Sequence, residues 1–268
     1  MTNQFIYISP KRFEAIVSVD SDIDRLEIYD LNTSSSTKED LEEFVYRNPS
    51  LLNPGVHTTI ITDIYPSVLL PNSLDSDIEQ MLLREAWDND SESERIMKWI
   101  TGETVFSNCR IATRLDEDLY HFIERTFHPV VIIDTLQIFL NKWKGECQKY
   151  KTGELSIHLD FDSEHFYIGV IKDNDNLISA PVYNFKPDYS YSLFFLDETI
   201  KAYDIKGVDC TIFLSDAIGD YNKLAEVLHT KGFKTISPKR DYRESFKEYI
   251  SRRRDILRPI SLIMSGVD

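Results

Sequence analysis

The stretch from residue 153 to residue 219 constrains the fold of this chain more than any other. It reads as three strands joined by short polar turns, then a helix and a fourth strand. Apolar and polar residues alternate in the strands, and Gly, Asn and Asp mark the turns. A helix, a short strand and a last helix follow. The sequence of the second half therefore predicts secondary-structure elements in the order β-β-β-α-β-α-β-α.

The start of the chain repeats the opening of this pattern. Residues 5–31 read as strand, short polar turn, aromatic-led strand, polar turn and third strand, and residues 155–185 share that plan. Repetition of a supersecondary unit is a fold-level signal that outweighs local propensity. We therefore predict an α/β protein with mixed sheets, made of domain 1–152 and domain 153–268.

Charge and cysteine usage restrict the partners and the compartment. The chain has 45 acidic and 30 basic side chains, for a formal net charge of −15. Such a field repels nucleic acid and anionic lipid, so a nucleic-acid partner is not expected. Cys109, Cys147 and Cys210 show no CxxC spacing and indicate free thiols in a reducing cytoplasm. No apolar run reaches the roughly 18 residues that predict a membrane-spanning helix.

A duplicated β-β-β-α-β-α unit resembles the actin-like ATPase superfamily, which includes actin, sugar kinases and the large heat-shock chaperones. More closely, the chain is similar to a Bacteroidetes-type family of unknown function with an actin-like fold. The resemblance implies a bacterial protein with two ribonuclease-H-like domains over nearly its whole length. The matching features are VLLP at 68–71 followed by a helix, the strand end at Tyr183, Asn184 and Phe185, the helix start at Asp188, Tyr189 and Tyr191, and TIFLSDAIG at 211–219.

The second phosphate loop of that superfamily, DxGGGTxD, corresponds here to DFDSEHFY at residues 160–167. Asp160 is retained. Three side chains replace the glycines whose backbone N–H groups would wrap a phosphate, and two of them are acidic and would repel it. These replacements are Asp162, Ser163 and Glu164.

The other nucleotide-contacting segments are altered as well. The first hairpin reads Ser-Pro-Lys-Arg at residues 9–12, without aspartate or glycine, and the adenosine motif keeps only Gly219. The resemblance therefore implies the fold without ATP hydrolysis, no cofactor, and a role through an unidentified protein partner. The alternative is an enzyme that binds or hydrolyses Mg-ATP, with nucleotide contacts at Lys11, Arg12, Asp160, Ser163 and Gly219.

A second alternative is a metal-dependent nuclease. Ribonuclease-H-type nucleases place carboxylates on the first strand, the first helix and the end of the fourth strand, where this chain has Asp160, Glu198 and Asp216. Paired metal ions require such oxygen ligands, although an acidic chain also scatters carboxylates at strand ends. His158, Asp160 and Asp162 alternate on one strand face, for which we expect a solvent-facing polar edge rather than a metal site.

Two charged segments remain. The acidic run at residues 88–94 predicts a solvated connection, with partner binding as the less favoured reading. Arg252, Arg253 and Arg254, in a predicted helix with Lys247, form a concentrated positive patch. Either a solvated helix end or a site for an anionic partner explains that patch.

Overall fold

The computed structural model describes residues 2–19, 22–31, 37–65, 67–85, 96–150, 152, 154–161, 165–184, 189–214 and 221–238. The acidic run at 88–94 and the helix predicted around Arg252, Arg253 and Arg254 lie outside these ranges. None of the described helices is both long and apolar enough to cross a membrane. The chain divides into two compact units, the first drawn from Met1–Glu103 and Arg110–Gln137, the second from Thr104–Cys109 and Ile138–Asp241.

Unit 1 contains a large mixed sheet and a smaller one. Its elements, in chain order, are strands β1 (Thr2–Ile8), β2 (Arg12–Val19) and β3 (Asp22–Asp30), helix α1 (Thr37–Arg47), a 3₁₀ turn (Pro49–Leu52), strands β4 (His57–Thr62) and β5 (Val68–Pro71), helix α2 (Ser76–Glu85), strands β6 (Met97–Glu103) and β7 (Cys109–Asp116), helix α3 (Glu117–Thr126) and strand β8 (Val130–Asp134).

The large sheet of unit 1 has the strand order β3-β2-β1-β4-β8. β1, β2 and β3 form an antiparallel meander, and β4 and β8 continue the sheet parallel to β1. Leu41, Phe44 and Val45 recur at helical spacing on α1, which is why one face of that helix is buried. They pack with Ile6 and Ile8 of β1 in one hydrophobic core. The smaller sheet, β5-β7-β6, comes between β4 and β8 in the chain.

Unit 2 is organised around a sheet that repeats this order. Its elements are helix α4 (Thr135–Tyr150), which belongs to this unit from Ile138 onward, strands β9 (Leu155–Phe161), β10 (His165–Lys172), β11 (Asn176–Ser179) and β12 (Val182–Asn184), helix α5 (Tyr189–Ala202), a 3₁₀ turn (Gly207–Asp209), strand β13 (Cys210–Leu214), helix α6 (Tyr221–Thr230) and strand β14 (Lys234–Ile236).

The sheet of unit 2 has the order β11-β10-β9-β13-β14, with β12 also paired to β10. β10 is antiparallel to β9 and β11, whereas β13 is parallel to β9 and β14. Both halves thus show an antiparallel meander extended by two parallel strands, which confirms the predicted duplication and the mixed α/β class. The division by contacts falls after Gln137, early in α4. The limits 1–152 and 153–268 stay a prediction.

Strand β9 is buried on both faces. Ile157 and Leu159 pack on one side with Leu196 of α5 in the hydrophobic core of this unit, as the alternation predicts. His158 and Asp160 point to the other side and have no exposed surface. The predicted solvent-facing polar edge is therefore wrong, because α4 covers this face and supplies polar partners for it.

Trp143 of α4 is fully buried, and its indole ring lies directly over Gly169 of β10. A Cβ atom built on Gly169 would lie 2.4 Å from Trp143 Cε3, closer than two carbon atoms can approach. The absence of a side chain at Gly169 therefore allows α4 to pack at this distance from the sheet.

We expect Gly169→Ala to lower the free energy of unfolding by about 1–3 kcal/mol, since the extra methyl group must displace the Trp143 ring. Urea denaturation followed by circular dichroism measures this. Gly145→Ala is the matched control, because Gly145 also lies in α4 and a methyl group added there has no atom within 4 Å. That change should stabilise the helix by about 0.5–1 kcal/mol. Equal effects of both substitutions would contradict the packing described.

Candidate functional site

A buried ionic network joins α4 to β9 in unit 2. Residues four apart on a helix and two apart on a strand share a face, which brings Lys142 and Glu146 opposite His158 and Asp160. The Lys142 Nζ atom lies 2.7 Å from Asp160 Oδ2 and 2.9 Å from Glu146 Oε1. The Trp143 indole donates a hydrogen bond of 2.7 Å to the same Asp160 oxygen. The Asp160 carboxylate is thus bound by an internal cation and an internal donor.

Lys142 stays charged inside the fold. Burial alone would lower the pKa of the Lys142 ammonium, but the charges of Asp160 and Glu146 outweigh burial and raise that pKa above its ordinary value. A buried charge is tolerated only where it is paired and hydrogen bonded. Lys142 and the two carboxylates therefore depend on one another.

The network continues through His158. Its Nδ1 atom lies 2.9 Å from Glu146 Oε2, and its Nε2 atom lies 3.4 Å from Cys147 Sγ and 3.2 Å from Ser156 Oγ. Burial would lower the pKa of His158, but hydrogen bonds to Cys147 and Glu146 raise it. Burial would raise the pKa of the Cys147 thiol, but its hydrogen bond to His158 and the charge of that histidine lower it.

A carboxylate, an imidazole and a thiol linked in series, as Glu146, His158 and Cys147 are here, also form the nucleophilic site of some enzymes. Here, however, both Cys147 and His158 have no exposed surface. The Phe213 ring stacks on the imidazole at a centroid distance of 4.4 Å and an interplanar angle of 2°. A substrate therefore has no access to the thiol, and the cluster holds α4 on the sheet.

Lys11 and Arg12, the predicted phosphate contacts of the first hairpin, lie at the turn between β1 and β2 in unit 1. The Ser9 hydroxyl accepts hydrogen bonds from both of their backbone amides, at 3.4 and 3.3 Å. The Arg12 guanidinium lies 3.8 Å from Glu14 and 3.5 Å from Asp30. The positive charge of Arg12 is therefore shared with two carboxylates of the same meander.

Of the predicted carboxylates Asp160, Glu198 and Asp216, the structure describes Asp160 and Glu198, and these two lie on opposite sides of the sheet of unit 2. Glu198 lies on the exposed side of α5, where its Oε1 atom is 2.7 Å from Lys201 Nζ. α5 packs against the Ile157 side of β9, whereas Asp160 faces α4 on the opposite side. In the described ranges, no group of three His, Cys, Asp or Glu side chains is placed to hold a metal ion. Ser163, Asp216 and Gly219 lie outside the described residues, as do Asp162 and Glu164.

Sequence reasoning missed an acidic pair at the carboxyl ends of the parallel strands of unit 1. Asp134 ends β8 and pairs in register with Thr62 of β4, which Asp63 follows. Asp134 accepts hydrogen bonds from Thr113 Oγ1 at 3.1 Å and from the Leu136 amide at 2.8 Å. Acidic residues that directly follow two apolar, parallel strands are a signal that could have identified this pair, because such strand ends meet at one sheet edge.

Asp134 titrates near neutral pH. Burial raises the pKa of its carboxyl group to about 7, and the charge of Asp63 acts in the same direction. Hydrogen bonds from the Leu136 amide and the Thr113 hydroxyl oppose these effects. The Tyr7 hydroxyl donates to Asp63 Oδ2 at 2.7 Å, which holds the second carboxylate in place. A carboxyl group in this state is a candidate for acid–base chemistry.

A cavity of about 170 Å³ lies in unit 1 where α1 and α3 begin. It is smaller than the roughly 300–1,000 Å³ of typical small-molecule sites. The Asp116 carboxylate at its wall caps α3, since it accepts hydrogen bonds from two backbone amides at the start of that helix. The cavity therefore suits water or an ion rather than a nucleotide. Its lining residues are Thr37, Lys38, Ile64, Tyr65, Asp116, Asp118 and Leu119.

No protein-family model matches the chain, and the search of curated proteins found no match. Among solved structures, a Bacteroides thetaiotaomicron protein with actin-like ATPase fold and unknown function superposes with a TM-score of 0.73 at 11% identity, over 93% of this chain and 95% of that one. The PilM-PilN type IV pilus biogenesis complex follows with a TM-score of 0.53 at 9% identity, over 100% and 99%.

The cytoplasmic domain of EpsL, an inner membrane component of the type II secretion system of Vibrio cholerae, gives a TM-score of 0.43 at 8% identity over 91% of this chain and 86% of that one. At such identities the first two likenesses show the fold alone. The chain has the actin-like ATPase fold, and the expected similarity to a Bacteroides protein of unknown function with that fold is confirmed.

We expect Lys142→Met to lower the free energy of unfolding by about 3–5 kcal/mol, because it leaves the buried Asp160 carboxylate without its cation and removes one of the two ion-pair partners of Glu146. The double variant with Asp160→Asn should recover part of this loss. Urea denaturation measures both. Lys144→Met is the control, since Lys144 pairs with the exposed Asp175 and should cost less than about 1 kcal/mol. A Lys142 variant as stable as the Lys144 variant would contradict the network.

Asp134→Asn tests the titration near pH 7. The folded-state pKa of Asp134, about 7, lies above the ordinary unfolded value of about 3.9. Its contribution to stability is therefore fully present below the unfolded pKa and is lost as the pH rises through the folded pKa. We expect the stability of the variant, measured relative to wild type by urea denaturation, to increase by about 2 kcal/mol between pH 5 and pH 8. Asp173→Asn, which removes a carboxyl group from an exposed turn, is the matched control. A flat difference for Asp134→Asn would mean that its carboxyl group does not titrate in this range.

Proposed function

We propose that this protein is a cytoplasmic, non-hydrolysing member of the actin-like fold that works through contact with a protein partner. The observation that carries the proposal is that Asp160 Oδ2 accepts hydrogen bonds from both Lys142 Nζ and Trp143 Nε1, each at 2.7 Å. Magnesium binds carboxylate oxygens that can reach it together with substrate phosphates. Asp160, which the resemblance assigns to the phosphate loop, is instead buried against a lysine.

The surrounding sequence supports the same conclusion. Asp162, Ser163 and Glu164 replace the loop glycines. At the first hairpin, the Arg12 guanidinium lies near Glu14 and Asp30 rather than being held for a phosphate. Without the loop glycines, backbone N–H groups cannot approach a phosphate. Without a free carboxylate, the site cannot hold the metal ion that accompanies the nucleotide.

A role through a partner fits the fold and the charge. The second solved structure described above is a PilM-PilN complex, so the same fold occurs in a protein assembly. The net charge of −15 favours a basic protein surface and disfavours nucleic acid. Cys109, Cys147 and Cys210 are buried free thiols, which suits the reducing cytoplasm.

The second candidate is an ATP-binding or ATP-hydrolysing enzyme. The observation that favours it is the Asp134 carboxyl group, whose pKa of about 7 lies in the range of a general base. Asp134 lies at the carboxyl end of parallel strands, the edge at which ligands of open α/β sheets bind. This candidate places the chemistry in unit 1 rather than at Asp160.

Titration calorimetry with Mg-ATP and an assay of phosphate release separate the two candidates. We expect neither binding heat nor turnover for the wild type at ATP concentrations up to the millimolar range. Asp160→Asn and Asp134→Asn should behave identically to it. Magnesium-dependent binding at micromolar ATP, lost in either folded variant, would overturn the proposal in favour of the enzyme. An actin-like sugar kinase assayed in parallel is the positive control.

A further inference from the structure

The outward side of α2 is apolar although the helix already has a packed side. Ile78, Met81 and Leu82 are 47%, 49% and 36% exposed. Leu83 of the same helix is buried and packs with Leu70 and Ala112 in a separate hydrophobic cluster. The apolar side chains therefore exceed what the core of unit 1 uses, and three of them remain in solvent.

Their spacing makes one continuous face. Residues at i, i+3 and i+4 of a helix are neighbours on its surface, as Ile78, Met81 and Leu82 are. Partner helices bind apolar surfaces through anchors at this same spacing. A methionine at the centre adapts to partners of different shape, because its side chain is unbranched and flexible.

The rim of this face is acidic at the start of α2. Asp75 and Asp77 are exposed there, whereas the exposed Arg84 in the last turn of the helix is basic. Glu79 is used elsewhere, since it pairs with Arg110 of β7. The acidic side chains at this rim have the same sign as the net charge of the chain, −15.

From this geometry we propose that the face of Ile78, Met81 and Leu82 binds a basic amphipathic helix of a partner protein. The inference deepens the proposed function and rests on it. A second copy of the chain is disfavoured as the occupant, because it would bring two acidic rims of a −15 protein together. An anionic lipid surface is disfavoured for the same reason. A helix with leucines on one side and lysines on the other complements both the apolar face and its rim.

The test uses a fluorescein-labelled, 18-residue peptide of leucine and lysine arranged as an amphipathic helix. Fluorescence anisotropy measures its binding to the full chain. We expect Ile78→Ser, Met81→Ser and Leu82→Ser, combined, to weaken binding at least tenfold. Asp75→Asn with Asp77→Asn should weaken it about threefold and reduce its dependence on salt concentration. Circular dichroism and the melting temperature establish that each variant is folded.

Two controls separate the face from general charge attraction. Tyr46→Ser with Phe194→Ser removes apolar side chains that are 85% and 59% exposed elsewhere, and should leave binding unchanged. A peptide of the same composition, shuffled so that its apolar residues share no helix face, should bind at least tenfold more weakly.

Equal binding by the triple variant, or by the shuffled peptide, would overturn the inference. A wild-type dimer in sedimentation equilibrium that the triple variant abolishes would also overturn it, in favour of a second copy as the occupant. Either failure leaves the proposed function standing, because the Mg-ATP measurements do not involve α2. Turnover of Mg-ATP would instead defeat the proposed function whatever the peptide does.

Discussion

The structure of unit 2 depends on how it accommodates charge on its central strand. β9 places His158 and Asp160 on a face that a helix must cover, and neither side chain could be buried without partners. α4 supplies them as Lys142, Trp143 and Glu146. Gly169 then allows the Trp143 ring close enough to the sheet to make its hydrogen bond. One network thus fixes the position, the rotation and the spacing of this helix.

The sequence was sufficient for the two meanders and for the mixed α/β class, but not for the environment of the polar residues. Alternation, turn residues and the repeat of residues 5–31 in 155–185 predicted the meanders, and the alternation of strands with helices predicted mixed sheets. Alternation also divided β9 correctly into two faces. It could not show that the polar face is buried, because the covering partners lie on α4, and alternation within one strand does not show which helix packs on that strand.

Asp134 was missed for a related reason. As a single acidic residue between a strand and a helix it reads as a helix N-cap, and it does accept the Leu136 amide. Its raised pKa comes from burial and from Asp63, which parallel pairing of β4 and β8 brings near. The two halves therefore differ in how a buried carboxyl group on a strand is stabilised. In unit 2 the Asp160 carboxylate pairs with Lys142, whereas in unit 1 the raised pKa of Asp134 favours its protonated form.

The distribution of thiols gives the duplicated fold an internal reporter. Cys147 of α4 and Cys210 of β13 are buried in unit 2, whereas Cys109, also buried, is the first residue of β7, at the point of the chain where the division into units falls. A thiol inside the fold cannot react until the surrounding structure opens. Once Cys109 is replaced by serine, the rate at which a thiol reagent modifies the protein therefore follows the opening of unit 2 through Cys147 and Cys210, while unit 1 contributes no signal.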